Sequence, residues 1–364
     1  MVPGSYRPLR TVHLVWHSAC PDGVPLGRAL FTALFEDPDD LTTHGMRIPV
    51  RLWTGDPEPP PVPDLSKAER SFVVVLVDRH FLITPGWRDH LADLTEACAD
   101  GGHVLVPVAL TKAAFGMPDP VAQLNWIRAV TVKKDVRATF ILNRLVHEMY
   151  RDLTDTPLRV FLSHAKLDGL SQAREIRDFL NDGTGVDNWF DAQDLPPGSR
   201  WEKIIENTAA NGNLMVVVRS DAYATREWCR IEVLEAKRAG SPVVVVDALH
   251  AEERRSFPYL GNGPVVRWEA RSSTRLERLL TVLVLEALRY EYFPRRVDQL
   301  CELHACGSPQ NTTARPPELL TLLEKKGGTL VYPDPPLGVE EMDLLGLMAP
   351  GVRPITPTQL LAEA

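Results

Sequence analysis

Residues 214–236 read LMVVVRSDAYATREWCRIEVLEA, an apolar run followed by a polar turn and a helical pattern. The apolar run has the length and the β-branched composition of a buried strand. In the helical pattern, Trp228 and Glu232 stand four residues apart, which places both side chains on one face of the helix. A flat ring and a carboxylate can therefore contact the same molecule.

Strand and helix patterns alternate in the same way from residue 158 to residue 292. Unbroken apolar strands between amphipathic helices are typical of βαβ units with a buried parallel sheet. We expect a doubly wound, flavodoxin-like sheet of about five strands, whose ligands bind beyond the carboxyl ends of the strands. The loops at those ends are SHAKLD (163–168), DAQDLPPGSR (191–200) and SDAYATREWC (220–229).

The N-terminal part of the chain repeats this order of elements. His17 precedes Trp87 by 70 residues, and His164 precedes Trp228 by 64. The similar spacing favours a tandem duplication. The predicted fold is therefore α/β, with two tandem flavodoxin-like doubly wound parallel sheets. The predicted domains are residues 1–155, residues 156–293, and a small α/β extension at 294–364, which reads as a helix, a strand and another helix with proline-rich joints.

The composition excludes several classes of partner. The 364 residues include 40 basic and 48 acidic side chains, for a formal charge of -8. Because like charges form no long block, nucleic acid and anionic membranes are disfavoured as partners. The chain shows neither the ~18-residue apolar run of a membrane span nor the pattern of a signal peptide, so we expect a cytoplasmic location. The five scattered cysteines indicate reduced thiols.

A metal site is not predicted. Cys301, His304 and Cys306 lie close together, but they supply only three ligands at a spacing that is unusual for zinc. Cys229 is interpreted as a small buried apolar residue, since no histidine within four residues could activate it.

Residues 158–292 resemble the Toll/interleukin-1 receptor (TIR) domain, and its bacterial enzymatic branch in particular. Three signatures carry the resemblance in the expected order. They are VFLSHAKLD at 160–168, WFDAQDLPPGSRW at 189–201, and the stretch at 214–236 with its Trp-Cys-x-x-Glu motif. The resemblance implies cleavage of NAD⁺ at the nicotinamide glycosidic bond. NAD⁺ is then the substrate, and no cofactor is implied. The essential glutamate of the motif is Glu232 here.

The chemistry of NAD⁺ is compatible with a single catalytic carboxylate. Nicotinamide leaves from a pyridinium that is already positive, so it departs as a neutral group and needs no acid, whereas ordinary glycoside hydrolysis uses two carboxyl groups. Glu232 would stabilise positive charge that develops on the ribose. Trp228 would orient the pyridinium ring through a cation–π contact.

The resemblance also implies the other contacts of the site. The first loop would line the nucleotide side of the cleft, with Lys166 close to phosphate. The expected substrate-binding residues are Trp228, Ser163, His164, Lys166, Asp191 and Tyr223. In TIR assemblies, the tip of the second loop packs against the next subunit, and the tip here consists of Leu195, Pro196, Pro197 and Gly198.

The function implied is a bacterial antiphage NAD⁺ hydrolase that is activated by self-association or by a protein partner. The sequence leaves open whether ADP-ribose or a cyclic ADP-ribose-like signal is the product, because both follow the same cleavage. The alternative is a non-catalytic scaffold that recruits partners through residues 191–200. On the simplest view, Trp228 and Glu232 are half core and half solvated surface. The carboxylate that follows Trp228 favours the enzyme.

The first domain departs from this pattern at one decisive position. Leu91 stands four residues after Trp87, where the second domain has Glu232. A leucine cannot balance a developing cation, so we expect residues 1–155 to be a degenerate repeat that regulates or assembles the second domain. A remaining cleft near His17 and Trp87 is a candidate site for an activating nucleotide signal.

Overall fold

A computed structural model of the chain describes residues 6–36, 45–182, 184, 189–190, 214–253, 255–307, 309–324 and 327–363. The chain forms two compact units, Met1–Leu145 and Val146–Ala364. None of the helices in the described ranges has both the length and the apolar character needed to cross a membrane. The domain boundaries given above stay a prediction.

The first unit is a five-stranded parallel sheet with helices between the strands. Its strands are β1 (Arg10–His17), β2 (Val50–Gly55), β3 (Arg70–Val77), β4 (Val104–Ala109) and β5 (Ile127–Arg128), arranged in the order β2-β1-β3-β4-β5. Its helices are α1 (Gly23–Leu30), α2 (Arg79–Ile83), α3 (Trp87–Asp100) and α4 (Lys134–Thr154), of which α4 crosses the division between the units. The central strand β3 is buried over almost its whole length, as its run of valines predicts.

The second unit contains a sheet of the same design. Its strands are β6 (Val160–His164), β7 (Trp189–Phe190), β8 (Leu214–Arg219), β9 (Val243–Asp247) and β10 (Val265–Arg267), arranged in the order β10-β9-β8-β6-β7. Its helices are α5 (Leu170–Asn181), α6 (Glu227–Arg238) and α7 (Arg275–His304). Counted from its own first strand, each of the two sheets has the flavodoxin-like order 2-1-3-4-5. The predicted fold class is confirmed.

The C-terminal extension contains a third parallel sheet, which is more structure than the predicted helix, strand and helix. Its strands are β11 (Asn311–Thr312), β12 (Gly328–Val331) and β13 (Val352–Ile355), and its helices are α8 (Leu319–Glu324), α9 (Val339–Met348) and α10 (Pro357–Ala362). It shares a hydrophobic cluster with the second half of α7, made by Phe293, Val297, Cys301, Ala314, Val331 and Ile355. Helix α7 continues through Pro294, so the extension and the second sheet are joined by one helix.

Candidate functional site

The candidate site lies at the carboxyl ends of β6 and β8, where a doubly wound sheet binds its ligands. Ser163 and His164 are the last two residues of β6. Strand β8 is followed by a short 3₁₀ turn that begins with Tyr223, and then by α6, whose first two turns carry Trp228 and Glu232. The topology thus brings residues from two separate stretches of sequence, 163–164 and 223–232, to one edge of the sheet.

A chain of hydrogen bonds connects the buried core to the Glu232 carboxylate. The Ser163 hydroxyl donates to Glu232 Oε2 at 2.5 Å and lies 2.7 Å from the Tyr223 hydroxyl. Because the one proton of Ser163 goes to the carboxylate, the Tyr223 hydroxyl is the donor between the two. The same Tyr223 hydroxyl has a second and longer acceptor in the Cys229 carbonyl oxygen, at 3.3 Å against 2.7 Å for Ser163. We call Tyr223, Ser163 and Glu232 together the hydroxyl relay.

Both hydroxyl side chains of the relay are enclosed by the protein. Ser163 is 1% exposed and Tyr223 is 0% exposed, whereas Glu232 is half-buried. Burial raises the pKa of Tyr223 well above its ordinary value, and the charges of Cys229 and Glu232 act in the same direction. The phenol therefore stays protonated and remains a hydrogen-bond donor. In this structure, Ser163 contacts the carboxylate from the protein side, and Tyr223 contacts Ser163 behind it.

Trp228 has a different environment from the rest of its helix. Its side chain is 56% exposed, while α6 buries Cys229, Val233 and Ala236 against the sheet. An indole with this exposure belongs to the surface and not to the core, and its ring is accessible to a ligand. Burial raises the pKa of the Cys229 thiol to about 12, so this neighbour is a poor nucleophile at neutral pH.

The structure describes only some of the other predicted site residues. His164 is half-buried, and its carbonyl oxygen accepts a hydrogen bond from Cys229 Sγ at 3.6 Å. Lys166 is exposed in the loop that follows. Asp191 and the predicted assembly tip, Leu195, Pro196, Pro197 and Gly198, lie outside the described residues. The residues that are described form the side of the site built from β6, β8 and α6.

Sequence reasoning missed Asp168, which fastens two loops of the site together. Its carboxylate accepts hydrogen bonds from the Ser220 hydroxyl at 2.6 Å and from the Ala222 backbone N–H at 2.8 Å. The loop after β6 is thereby tied to the turn that leads into α6. The sequence feature that could have identified Asp168 is its place as the acid at the end of SHAKLD, in a loop that the sequence assigns to the site.

The corresponding place in the first unit is packed closed. Trp87 is fully buried, and its indole N–H donates to the Pro57 carbonyl oxygen at 2.8 Å. His17 is 4% exposed, lies 5.2 Å from the Trp87 ring between centroids, and has Thr84 Oγ1 3.1 Å from its Nε2. Leu91 is also fully buried. The sequence suggests a nucleotide cleft at His17 and Trp87, but in the structure the unit's own side chains cover both rings. This corrects the expectation of an open cleft at that place.

Comparison with known proteins identifies one stretch of the chain. Residues 160–280 match the family model described as a TIR domain. The matched stretch includes Ser163, Tyr223, Trp228 and Glu232. None of the curated proteins compared with the chain matches it. Within the described residues, no group of three or more His, Cys, Asp and Glu side chains is arranged to hold a metal ion.

Proposed function

Since residues 160–280 form a TIR domain, as the resemblance in the sequence predicted, we propose that this chain cleaves NAD⁺ at the nicotinamide glycosidic bond. TIR domains include NAD-cleaving enzymes and non-catalytic scaffolds, so the family alone leaves both functions open. The observation that favours the enzyme is the half-buried Glu232, held by a buried hydroxyl one helical turn from the exposed Trp228.

Glu232 would act electrostatically in the proposed reaction. As the bond between ribose and nicotinamide breaks, the sugar develops oxocarbenium character, and the departing ring becomes neutral. A carboxylate already fixed beside the sugar stabilises that charge without reorganisation during the reaction. Because the leaving group needs no proton, the single carboxylate is sufficient, and no acid partner is required of the type used in ordinary glycoside hydrolysis.

Trp228 would orient the substrate. A pyridinium over an indole gains about 0.5–2 kcal/mol from cation–π attraction, depending on how far both are desolvated. This attraction is present in bound NAD⁺ and disappears when nicotinamide becomes neutral. It therefore contributes to binding and alignment more than to stabilisation of the transition state.

The wider parts of the proposal rest on the family resemblance. They are activation by self-association through the loop tip at residues 195–198, a role in bacterial defence against phage, and a product that is ADP-ribose or a cyclic form. The described side of the site leaves Trp228 open to solvent, and a neighbouring subunit or loop that excludes water would strengthen the electrostatic effect of Glu232. Residues 1–155 are proposed as the regulatory or assembly part.

The test is product analysis by mass spectrometry after incubation of the full-length protein with NAD⁺, over a series of protein concentrations. Glu232→Gln keeps the shape of the side chain and removes its charge, so we expect a loss on the order of 10²-fold or more in rate. Glu235→Gln is the matched control, since Glu235 lies on the same helix and pairs with Arg238 at 2.5 Å on the surface. It should retain activity.

Two outcomes would count against the proposal. Equal rates of NAD⁺ cleavage for wild type and Glu232→Gln would show that the Glu232 carboxylate has no role in the reaction. Intact NAD⁺ at every concentration of wild-type protein, including concentrations at which it self-associates, would favour the scaffold. If activation depends on assembly, the rate per molecule rises with protein concentration.

A further inference from the structure

We infer that Ser163 and Tyr223 are positioning residues, which hold the Glu232 carboxylate ionised and oriented from inside the protein. The inference rests on the proposed function, and it gives these two residues a different role from the substrate contact expected from their motifs. It is carried by the geometry of the hydroxyl relay, in which two buried hydroxyl groups lie in series behind one half-buried carboxylate.

The direction of the hydrogen bonds is what makes the relay useful. Ser163 donates to an acceptor that carries the charge, and such charge-assisted bonds are short and roughly twice as strong as neutral ones. A donor of this kind favours the ionised form of a carboxyl group. Tyr223 in turn supplies the proton that Ser163 oxygen accepts, which keeps the Ser163 hydroxyl pointed at Glu232. The carboxylate is thereby fixed in one orientation.

The hydroxyl groups are not needed by the fold. Strand β6 buries Val160, Phe161 and Leu162 before it reaches Ser163, and an apolar side chain there would continue the core. Buried hydroxyl groups cost free energy unless each finds a partner. Their presence in an otherwise apolar layer is explained by what they do to Glu232.

The first unit shows what the same fold contains without the carboxylate. The residue before His17 is Trp16, the residue five before Trp87 is Leu82, and the residue four after Trp87 is Leu91. The same offsets from His164 and Trp228 give Ser163, Tyr223 and Glu232. Trp16, Leu82 and Leu91 are 5%, 7% and 0% exposed, so all three are core. Where the acid is absent, both hydroxyl groups are absent with it.

Other ionisable groups must be considered in any experiment that changes pH. Among the described residues, the ionisable side chains of the elements next to Glu232 include those of Tyr223, Cys229, Arg226, Arg230, His164, Lys166 and Asp168, together with Arg219, Asp221, Glu227 and Glu235. Tyr223 and Cys229 stay protonated at neutral pH because burial raises the pKa of each. Of these groups, Tyr223 contacts Ser163, and loss of that hydrogen bond raises the already elevated pKa of Tyr223 further, so the phenol stays protonated. A difference between variants at position 163 therefore reports the Ser163 hydroxyl.

The first test measures Glu232 directly and needs no NAD⁺. The full-length protein is labelled with ¹³C at the glutamate carboxyl carbon, and the Glu232 signal is assigned by its loss in Glu232→Gln. Ser163→Ala should move the titration of that signal to higher pH by about one pH unit, equivalent to about a tenfold change in the protonation equilibrium. Tyr223→Phe should move it in the same direction by less, because Tyr223 acts through Ser163.

Two control variants separate this effect from general damage. Ser163→Thr keeps the hydroxyl and should restore the wild-type titration. Ser220→Ala removes another buried hydroxyl of the same edge, one that donates to Asp168, and should leave the Glu232 titration in place. An unchanged Glu232 titration in a folded Ser163→Ala protein overturns the inference.

The second test follows the reaction. In Ser163→Ala, the acid limb of the plot of kcat against pH should move to higher pH. At pH values below the shifted limb, kcat should be about tenfold lower than in wild type. KM for NAD⁺ should stay close to wild type, because in this inference Ser163 does not touch the substrate. A rise in KM with an unmoved pH profile would return Ser163 to the substrate-binding role. If the carbon signal shifts but no variant cleaves NAD⁺, the relay is real and the proposed function is the part that fails.

Discussion

Trp228 is the second residue of α6, a helix that buries Cys229, Val233 and Ala236, yet 56% of the Trp228 side chain is exposed. Its replacement by alanine should therefore remove the ring that is proposed to orient NAD⁺ and should cost little packing. We expect Trp228→Ala to raise KM for NAD⁺ by roughly 2- to 30-fold, the equivalent of a cation–π contact of about 0.5–2 kcal/mol. Thermal unfolding should be nearly unchanged. Steady-state kinetics and calorimetry of the same preparation give both quantities.

Trp228→Phe is the matched control for the stacking role, since it keeps a ring of smaller area. It should retain most of the wild-type affinity and the same thermal stability. The opposite pattern, in which alanine lowers the melting temperature by several degrees but leaves KM alone, would assign Trp228 to packing.

The residues of the site could be located from the sequence more readily than their roles. The Trp-Cys-x-x-Glu spacing places Trp228 and Glu232 on one helix face, and the structure has both there. The bond between Ser163 and Glu232 joins residues 69 positions apart, which no periodicity along one element can show. Ser163 and Tyr223 were assigned from their motifs to the substrate. Whether a residue at the end of a strand faces the cleft or the core depends on the neighbouring elements, and that is known only after folding.

Among the strands, β1 carries a histidine whose ionisation affects the stability of the first unit. His13 is buried, and its Nδ1 accepts a hydrogen bond from the indole N–H of Trp53 in β2 at 3.1 Å. Burial, followed by the charges of Arg51 and His103, lowers the pKa of His13 from 6.5 to about 4. Between about pH 4 and pH 6.5, His13 is therefore neutral in the folded protein but protonated in the unfolded chain.

The sign of the pH effect follows from this difference. Above pH 6.5 both states are neutral and the stabilisation is complete, and it is lost as the pH falls from about 6.5 toward 4, because the unfolded state takes up the proton first. The unfolding temperature of the first unit should drop through that window. His13→Gln keeps an acceptor for Trp53 and should flatten the dependence, though burial also lowers the pKa of His90 and His103. An identical dependence in the variant would show that His13 is not a cause.

The two large sheets were predictable because their inner strands, such as β3, β8 and β9, are continuous apolar runs. The third sheet was not, and its strands show why. Strand β11 has two residues, too few for any periodicity, and β13 contains Pro354, which suggests a loop. A proline is tolerated in β13 because that strand lies at the edge of its sheet. Such short strands form because they pack against a hydrophobic cluster, here the one at the end of α7.

Within the second unit, a buried ion pair binds the C-terminal extension to the helix that packs on the TIR sheet. Arg315 donates to both carboxylate oxygens of Glu286, at 3.1 and 2.6 Å, and Glu286 is 2% exposed. Arg289 lies 3.6 Å from the same carboxylate. Arg315→Met should remove the two shortest described hydrogen bonds of the buried Glu286 carboxylate, at a cost of about 3 kcal/mol in the free energy of unfolding.

The control is a pair of the same chemical type on the surface. Arg278 and Glu269 lie 3.4 Å apart with side chains 57% and 48% exposed. Arg278→Met should cost less than about 1 kcal/mol. Urea unfolding, followed by far-UV circular dichroism, measures both variants against wild type. Equal small effects would mean that the extension contributes little to the stability of the second unit, whereas the predicted difference would show that the two unfold together.

Helix α7 has thirty residues, and the family match at residue 280 ends inside its second turn. The residues that follow include Leu283, Val284 and Leu288, all buried. A recombinant fragment cut at the limits of the family would therefore begin with a complete first strand and end with a severed helix and an uncovered apolar surface. For this chain the unit of homology is shorter than the unit of folding. An exchange of TIR domains between proteins would have to carry α7 and the three small strands along with the five-stranded sheet of the second unit.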